Sequence, residues 1–210
     1  MDYEVIIVGA GPAGIFAALT MADLGIGPIL LLEQGKDLRE RQRSDAEDML
    51  CGWGGAGAYS DGKLTLSTEV GGLLSEFLDQ KSLSSLLSDA DEVWVAHGAP
   101  DHLFGESSPK LEDLSDRARL ADLELIPTRI RHIGTENCRL VLDRLRQSLA
   151  SRVEMQTRRQ VQGLVHENGQ IRGVRMVDGK EIAGRFVIAA PGRSGASWMK
   201  EEAQALGLKT

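Results

Sequence analysis

The sequence contains few of the residues that build disulfide frameworks, metal centres and basic binding surfaces. It has two cysteines, Cys51 and Cys138, and four histidines among 210 residues. The cysteines are too far apart in sequence for a Cys-x-x-Cys redox pair, and the histidines are scattered away from them, so we expect no metal site. A formal net charge of -7 lacks the broad positive field that nucleic acid or an anionic membrane needs.

Long apolar runs and targeting signals are also missing. No run approaches the roughly 20 apolar residues that span a bilayer. The N-terminus has neither a basic segment nor a cleavage site before the first predicted strand. We therefore expect a cytoplasmic protein in a reducing compartment, without a membrane partner. With 42% hydrophobic and 26% charged residues, the chain is typical of globular proteins.

A nucleotide-binding pattern opens the chain. Residues 5–8 form a short apolar run of the kind a buried parallel strand needs, and Gly9, Gly11 and Gly14 follow in Gly-x-Gly-x-x-Gly spacing. Pro12 suits the first turn of a helix, which Gly25 ends. A second apolar strand then spans residues 29–32. A chain with 24 glycines can produce this spacing by chance, so the spacing alone is weak evidence. Here the strand, helix and second strand follow it in the order that dinucleotide binding requires.

Each residue of this pattern has a physical role in holding a dinucleotide. Gly9 permits the tight turn, Gly11 lets the backbone approach a pyrophosphate, and Gly14 lets the helix lie close to the strand. The N-terminal N–H groups of the helix then face the phosphates. Glu33, at the end of the second strand, is suited to accept hydrogen bonds from ribose hydroxyls. Its charge disfavours the 2′-phosphate of NADP.

A second informative stretch covers residues 51–66, in which four glycines lie within six positions. They let backbone N–H groups converge on an anion or an aromatic ring. The alternative is a flexible loop, which Trp53 and Tyr59 disfavour because large aromatic residues are costly in a mobile linker. Cys51 precedes this loop and has no second cysteine nearby. Arg41 is either a solvated charge or a contact to adenosine or phosphate.

The middle of the chain, residues 70–130, reads as a helical insert. Apolar stripes around Phe77 and Leu83 indicate core residues. Residues 93–96 fit a helix end or a short strand, and residues 98–111 read as a loop. Asp101 and His102 in that loop are either an acid–base pair or, more commonly, a surface pair.

The last part predicts a helix, a strand and an antiparallel meander. The helix begins near residue 134 and buries Cys138, and residues 152–157 form a strand. Asn168–Gly169 and Asp178–Gly179 are typical two-residue hairpin turns of a three-stranded meander. Residues 186–190 then return as a central parallel strand that ends at Gly192, where sheets of this type bind ligands.

These motifs together resemble a known flavoprotein fold. The segments GAGPAG, LLEQGKDLRERQR, GGAGAYSDGKLT, HIGTE and APGRSG look like the bacterial family of uncharacterised FAD-dependent dehydrogenases, or NAD(P)/FAD-dependent oxidoreductases. The resemblance implies the glutathione-reductase-type FAD-binding fold. This is a Rossmann-like α/β fold with a central parallel sheet, helices and a three-stranded antiparallel meander. One FAD-binding domain would cover residues 1–210, with a βαβ clamp at 3–35 and the helix and meander at 134–192.

The resemblance also implies a set of cofactor contacts. The first glycine turn would hold the FAD pyrophosphate, the acid after it the ribose, and the second glycine loop the pyrophosphate and ribityl chain. The SDGK segment would lie toward the isoalloxazine, the main chain near Val161 would meet the adenine, and the last turn would close over the cofactor. The predicted FAD-binding residues are Gly9, Gly11, Pro12, Ala13, Gly14, Glu33, Gln34, Arg41, Gly54, Gly55, Ala56, Ser60, Asp61, Lys63, Val161, Ala190 and Gly192.

The sequence predicts a class of reaction but neither the substrate nor the catalytic residues. The resemblance implies a flavin-dependent oxidoreductase of unassigned substrate, with NAD(P)H as a candidate electron donor. No residue is identified as a catalytic acid or base, and Asp61, Lys63 and His132 are candidates to tune the flavin. Relatives of this design carry a substrate domain and a C-terminal closing segment that we expect to be absent here, as in a truncated protein.

Two other functions remain open at this point. One is a non-catalytic dinucleotide-binding module completed by a partner, either a missing C-terminal half or a second copy in a homo-oligomer. The other is a plain NAD-binding dehydrogenase domain.

Overall fold

The computed structural model describes residues 2–208. The chain forms two compact units: a larger unit of the residues up to Tyr59 and from Leu142 onwards, and a smaller unit of Ser60–Val141. Single 3-10 turns cover Gly55–Tyr59 and Leu74–Glu76. The other elements, in chain order, are β1 (Tyr3–Val8), α1 (Pro12–Asp23), β2 (Ile29–Leu32), α2 (Ala46–Leu50), β3 (Lys63–Thr65), α3 (Gln80–Ala96), β4 (Leu103–Phe104), α4 (Pro109–Leu120), β5 (Ile130–His132), α5 (Thr135–Leu149), β6 (Glu154–Gln156), β7 (Val161–Glu167), β8 (Gln170–Met176), β9 (Glu181–Ala189) and α6 (Ala196–Ala205).

The larger unit is built on a mixed six-stranded sheet of order β6-β2-β1-β9-β8-β7. The first four strands in that order are parallel, and β7, β8 and β9 are antiparallel neighbours. Strands β1 and β2 are apolar on both faces, so Ile6 and Leu30 are fully buried. The predicted α/β fold with a parallel sheet and an antiparallel meander is confirmed.

Strand β9 belongs to both parts of this sheet. Its first residues pair with β8, from Gly173↔Ala183 to Arg175↔Glu181. The rest pairs with β1, ending at Val8↔Ala189. Gly184 lies where the partner changes, and a Cβ there would be 2.7 Å from Ile6 Cδ1. The close packing of Ile6 therefore requires a glycine at this point of β9.

The meander packs against the parallel strands through a shared apolar core. Side chains of β1 and β2 form one side, and side chains of the meander form the other. Two hydrogen bonds join α6 to the edge strand β7: Trp198 Nε1 donates to Gln162 O at 2.8 Å, and Leu164 N donates to Glu202 Oε2 at 2.8 Å. The core cluster comprises Ile6, Val8, Leu30, Leu32, Val161, Val174, Met176 and Ile182.

The smaller unit contains a three-stranded antiparallel sheet of order β3-β5-β4. Its interior holds a buried ion pair: Arg131 is 3% exposed, and its Nη2 donates to Asp91 Oδ2 at 2.6 Å. The predicted loop at 98–111 is wrong at its end, where Ser108 caps α4 and Pro109 begins it. The predicted core stripe around Phe77 is also wrong, because Phe77 is 78% exposed. In α3, which supplies the second predicted stripe, only Leu83 is buried. Within residues 2–208, no helix has the length and apolar character to cross a membrane.

The substitution Gly14→Ala tests the contact between α1 and the turn after β1. A Cβ at Gly14 would lie 1.9 Å from Gly9 O, so Gly14→Ala forces the helix and the turn apart. We expect the substitution to lower the free energy of unfolding by about 3 kcal/mol, measured by urea denaturation. Gly11→Ala is the matched control, because a Cβ at Gly11 meets no atom within 4 Å. Equal stability of the two variants would contradict the packing described.

Candidate functional site

A cleft of about 300 Å³ opens in the larger unit, where the parallel strands β1, β2 and β9 end. Four segments line it: the turn after β1, the residues after β2, the glycine loop that begins at Cys51, and the turn after β9. The residues that precede and begin β7 complete the wall. Loops at the carboxyl ends of parallel strands are where open α/β sheets bind ligands.

The turn after β1 approaches the neighbouring strand closely. Gly9 has a φ of +103°, and a Cβ there would lie 2.2 Å from Ala190 O. Gly9 N also donates to Leu32 O at 2.7 Å, so the turn is fixed between the ends of β2 and β9. Only glycine satisfies both the backbone conformation and the distance.

Helix α1 begins on the cleft without a side-chain cap. Gly11 is the N-cap residue, and because it has no side chain it makes no side-chain cap hydrogen bond. The N–H groups of a first helical turn have no partner within the helix, and they carry the positive end of its dipole. Since a Cβ at Gly11 would meet nothing within 4 Å, this end of the helix faces open space. The arrangement is suited to an anion such as a phosphate.

The Glu33 carboxylate accepts hydrogen bonds from three segments of the cleft, and we call this arrangement the Glu33 junction. Glu33 is 5% exposed. Its Oε2 accepts a hydrogen bond from Ala10 N at 2.8 Å. Its Oε1 accepts hydrogen bonds from Gly35 N at 2.8 Å and from Gly52 N at 2.9 Å. A carboxylate offers about four acceptor positions, so one remains, on Oε2.

The glycine loop lies against the turn after β1. Gly54 N donates to Ala10 O at 2.8 Å, and a Cβ at Gly55 would be 3.1 Å from Gly11 Cα. Trp53 is fully buried, and its Nε1 donates to Leu142 O at 3.0 Å. The loop therefore has a fixed position in the larger unit, as the two aromatic residues predicted.

Arg41 lies beneath the same loop rather than in the cleft wall. It is 2% exposed, its Nη1 donates to Trp53 O at 2.6 Å, and its other nitrogens donate to Asp48 O. The guanidinium carbon is 5.1 Å from the centre of the Tyr59 ring. Burial lowers the pKa of Arg41 from its usual value, and nearby acidic groups act in the opposite direction. The cofactor contact predicted for Arg41 stays a prediction, while its donors hold the loop backbone.

Four residues predicted to lie near the flavin belong to the smaller unit. Asp61 and Lys63 form an ion pair of 2.8 Å, whose hydrogen bond lowers the pKa of Asp61 and raises that of Lys63. Ser60 Oγ accepts a hydrogen bond from Gly62 N. His132 is the register partner of Lys63 between β5 and β3. The roles predicted for these residues beside a flavin stay predictions.

Cys138, in the same unit, is buried as predicted, and burial raises the pKa of its thiol. No group of three or more potential metal ligands occurs within the described part of the chain.

The structure separates the remaining predicted residues into two sets. Gly14 and Gly54 support the turn and the loop, since added Cβ atoms would meet Gly9 O and Leu142 Cδ1. Ala13 lies in the first turn of α1. The predicted residues that line the cleft are Gly9, Gly11, Pro12, Glu33, Gln34, Gly55, Ala56, Val161, Ala190 and Gly192. Their contacts with a cofactor stay predictions.

Two features of the cleft wall were not predicted: the hydrogen bonds of Gln34, which is itself a predicted site residue, and the position of Arg159. Gln34 Nε2 donates to Cys51 Sγ at 3.1 Å and contacts Ser194 Oγ at 3.4 Å, so one side chain joins segments distant in sequence. Arg159 also lines the cleft. It ends the arginine-dense stretch of residues 117–159, whose sequence fits either a solvated helix face or a patch that partly faces phosphate.

A family model described as FAD dependent oxidoreductase matches residues 4–207. The chain belongs to the FAD dependent oxidoreductase family. Members of this family bind FAD. The resemblance to FAD-dependent oxidoreductases that the sequence motifs indicated is thereby confirmed.

Two curated relatives and two solved structures illustrate the similarity to FAD dependent oxidoreductases. An uncharacterised protein of Clostridium beijerinckii is 27% identical over 90% of this chain and 31% of its own length. Digeranylgeranylglycerophospholipid reductase of Methanocella arvoryzae is 29% identical over 91% of this chain and 39% of its own length. The chain thus spans between 31% and 39% of these relatives.

The structural matches support the fold alone. L-amino acid deaminase of Proteus myxofaciens matches with a TM-score of 0.56 at 16% identity, covering 100% of this chain and 49% of that one. 3-Ketosteroid-Δ4-(5α)-dehydrogenase of Rhodococcus jostii matches with a TM-score of 0.55 at 18% identity, covering 89% and 45%. Less than half of each solved chain therefore corresponds to this one.

Glu33→Gln tests the Glu33 junction, in which one carboxylate accepts hydrogen bonds from three backbone segments. A glutamine keeps the shape but replaces one acceptor oxygen with an NH2 group that faces backbone donors. We expect a loss of about 3 kcal/mol in the free energy of unfolding at neutral pH, measured by urea denaturation. Glu47→Gln, on an exposed position of α2, is the matched control and should leave stability nearly unchanged. A stability equal to wild type for Glu33→Gln would show that the junction is not formed.

Arg41→Met tests whether the guanidinium holds the loop backbone. Removing it leaves the carbonyl oxygens of Asp48 and Trp53 without their buried donor, so we expect unfolding to become easier by about 3 kcal/mol. Arg43→Met, at an exposed position two residues away, serves as the comparison. The same urea midpoint for both variants would rule out this role.

Proposed function

We propose that this chain binds FAD along the cleft and serves as the FAD-binding domain of a flavin-dependent dehydrogenase or reductase. One observation carries the proposal: the uncapped N-terminus of α1 opens at Gly11 onto unfilled space at the carboxyl end of a parallel sheet. That position suits a pyrophosphate, because two backbone segments and a helix dipole converge there. Family membership supports FAD as the dinucleotide.

The residues present fit such a group. Gly55 lies close to Gly11, so the two glycines form a narrow wall without side chains. Glu33 retains an acceptor position on Oε2 beside that wall, which suits a ribose hydroxyl. Its negative charge opposes a 2′-phosphate at the same place, which favours a cofactor without that group.

The order of the strand ends supports one direction for the dinucleotide. Adjacent strands of a sheet lie about 4.8 Å apart. With the pyrophosphate at the end of β1, the ends of β2 and β6 lie on one side and the end of β9 lies on the other. Glu33 follows β2, so the adenosine extends toward β2 and β6. The flavin then extends past Gly192, which follows β9.

Bound FAD supplies hydride or electron transfer. The residues of this chain bind and orient the dinucleotide, and the buried junction at Glu33 keeps the loops in place. The alternative of a plain NAD-binding domain is disfavoured by the glycine loop and the meander, because a simple NAD fold requires neither.

FAD titration of the purified chain tests the proposal. We expect saturable binding, followed by flavin fluorescence, that excess NAD does not displace. Gly11→Ala places a methyl group where the pyrophosphate would lie, so it should weaken FAD binding by more than tenfold. The free energy of unfolding of the same variant should stay within about 1 kcal/mol of wild type.

Two results would count against the proposal. The wild-type chain would show no saturable FAD binding, or Gly11→Ala would bind FAD as tightly as wild type. Turnover of an electron acceptor with reduced nicotinamide by the FAD-loaded chain would separate an active enzyme from a binding module.

A further inference from the structure

The backbone next to Arg159 is hydrogen-bonded to the segment that contains Glu33. After β6, Arg158 N donates to Gly35 O at 2.7 Å and Arg159 N donates to Glu33 O at 2.8 Å. These bonds hold the segment between β6 and β7 against the residues that follow β2. Arg159 lines the cleft beside Glu33 as a result.

The guanidinium of Arg159 makes few contacts of its own. Its Nε is buried and has no hydrogen-bond partner within residues 2–208. The nearest carboxylate is Asp178, whose Oδ2 lies 3.6 Å from Nη1, which is within range of an ion pair but too long for a hydrogen bond. The Arg159 side chain is 34% exposed. A cation in this state is well suited to contact a ligand in the cleft, since almost no donor must be released first.

The position of Arg159 along the cleft decides which part of a dinucleotide it meets. In the proposed binding direction the pyrophosphate lies at β1 and the ribose at Glu33. The next segment outward is the one that follows β6 and carries Arg159. An adenine base therefore reaches this segment, while the flavin lies on the opposite side of β1.

We propose that Arg159 recognises the adenine end of the cofactor by placing its guanidinium against the face of the base. This inference rests on the proposed function. A guanidinium is planar and weakly hydrated, so it stacks on an aromatic ring at lower cost than an ammonium group. Arg159 would thus favour cofactors that carry adenine and would not act on the flavin itself.

Binding of FAD, ADP, FMN and inorganic pyrophosphate to three variants tests the proposal. Arg159→Lys keeps the charge and removes the planar group, Arg159→Met removes both, and Arg175→Lys is the matched control on the meander. Arg175 forms an exposed ion pair with Glu181 and does not line the cleft. Urea unfolding of each variant confirms that the fold is retained.

We expect both Arg159 variants to weaken FAD and ADP binding by about tenfold. FMN and pyrophosphate, which lack adenine, should bind each variant as they bind wild type. The control should bind all four ligands normally. This pattern would assign Arg159 to the base, because only ligands with adenine lose affinity.

Other patterns would overturn the inference. If Arg159→Lys binds ADP like wild type while Arg159→Met weakens both ADP and pyrophosphate, the contact is to phosphate. If neither variant changes FAD affinity, Arg159 does not touch the cofactor, and the proposed function still stands. If the wild-type chain fails to bind FAD, the proposed function and this inference both fall.

Discussion

The cleft depends on one buried carboxylate that must be satisfied by the backbone. Glu33 is almost entirely removed from water, and an ion in that position is tolerated only when hydrogen bonds replace its hydration. Its three partners come from the turn after β1, the residues after β2 and the glycine loop. Satisfying one charge therefore fixes three separate segments in a single arrangement.

The rest of the site follows from that junction. Once Gly52 is held, Gly54 N reaches Ala10 O, and the loop lies against the start of α1. Arg41 holds the other side of the loop through Trp53 O. The open end of α1 is then bordered by backbone rather than by side chains. A preformed cleft of this kind lowers the ordering cost of binding a long, flexible cofactor.

The sequence predicted the parts of the fold that depend on local pattern. Short apolar runs and glycine spacing identified β1, α1 and β2, and the two-residue turns identified the meander. The sheet of β3, β4 and β5 was not predicted, because strands of two or three residues carry no measurable alternation. Helix α4 lies within the predicted helical insert, but its first residues were assigned to the loop predicted at 98–111, although Ser108 and Pro109 mark the start of the helix.

Site residues were predicted best where the backbone itself is the functional group. Gly9 is required by its backbone conformation, and Gly11 leaves space for a ligand. Both requirements are met by glycine itself, so the spacing of glycines in the sequence predicts them. The partners of Glu33 are backbone N–H groups, and these cannot be predicted from the sequence because nearly every residue type carries one. Arg41 and Arg159 lie in similarly basic surroundings in the sequence, yet the first is buried under the loop and the second lines the cleft. Only tertiary contacts distinguish the two arginines.

The most direct test of the junction is residue-resolved hydrogen exchange of the cofactor-free protein. The amides of Ala10, Gly35 and Gly52 should be strongly protected and should open together, because one carboxylate accepts all three. Exchange at the rate of an unstructured chain at these amides, with β1 and β2 still protected, would show that Glu33 does not organise the cleft.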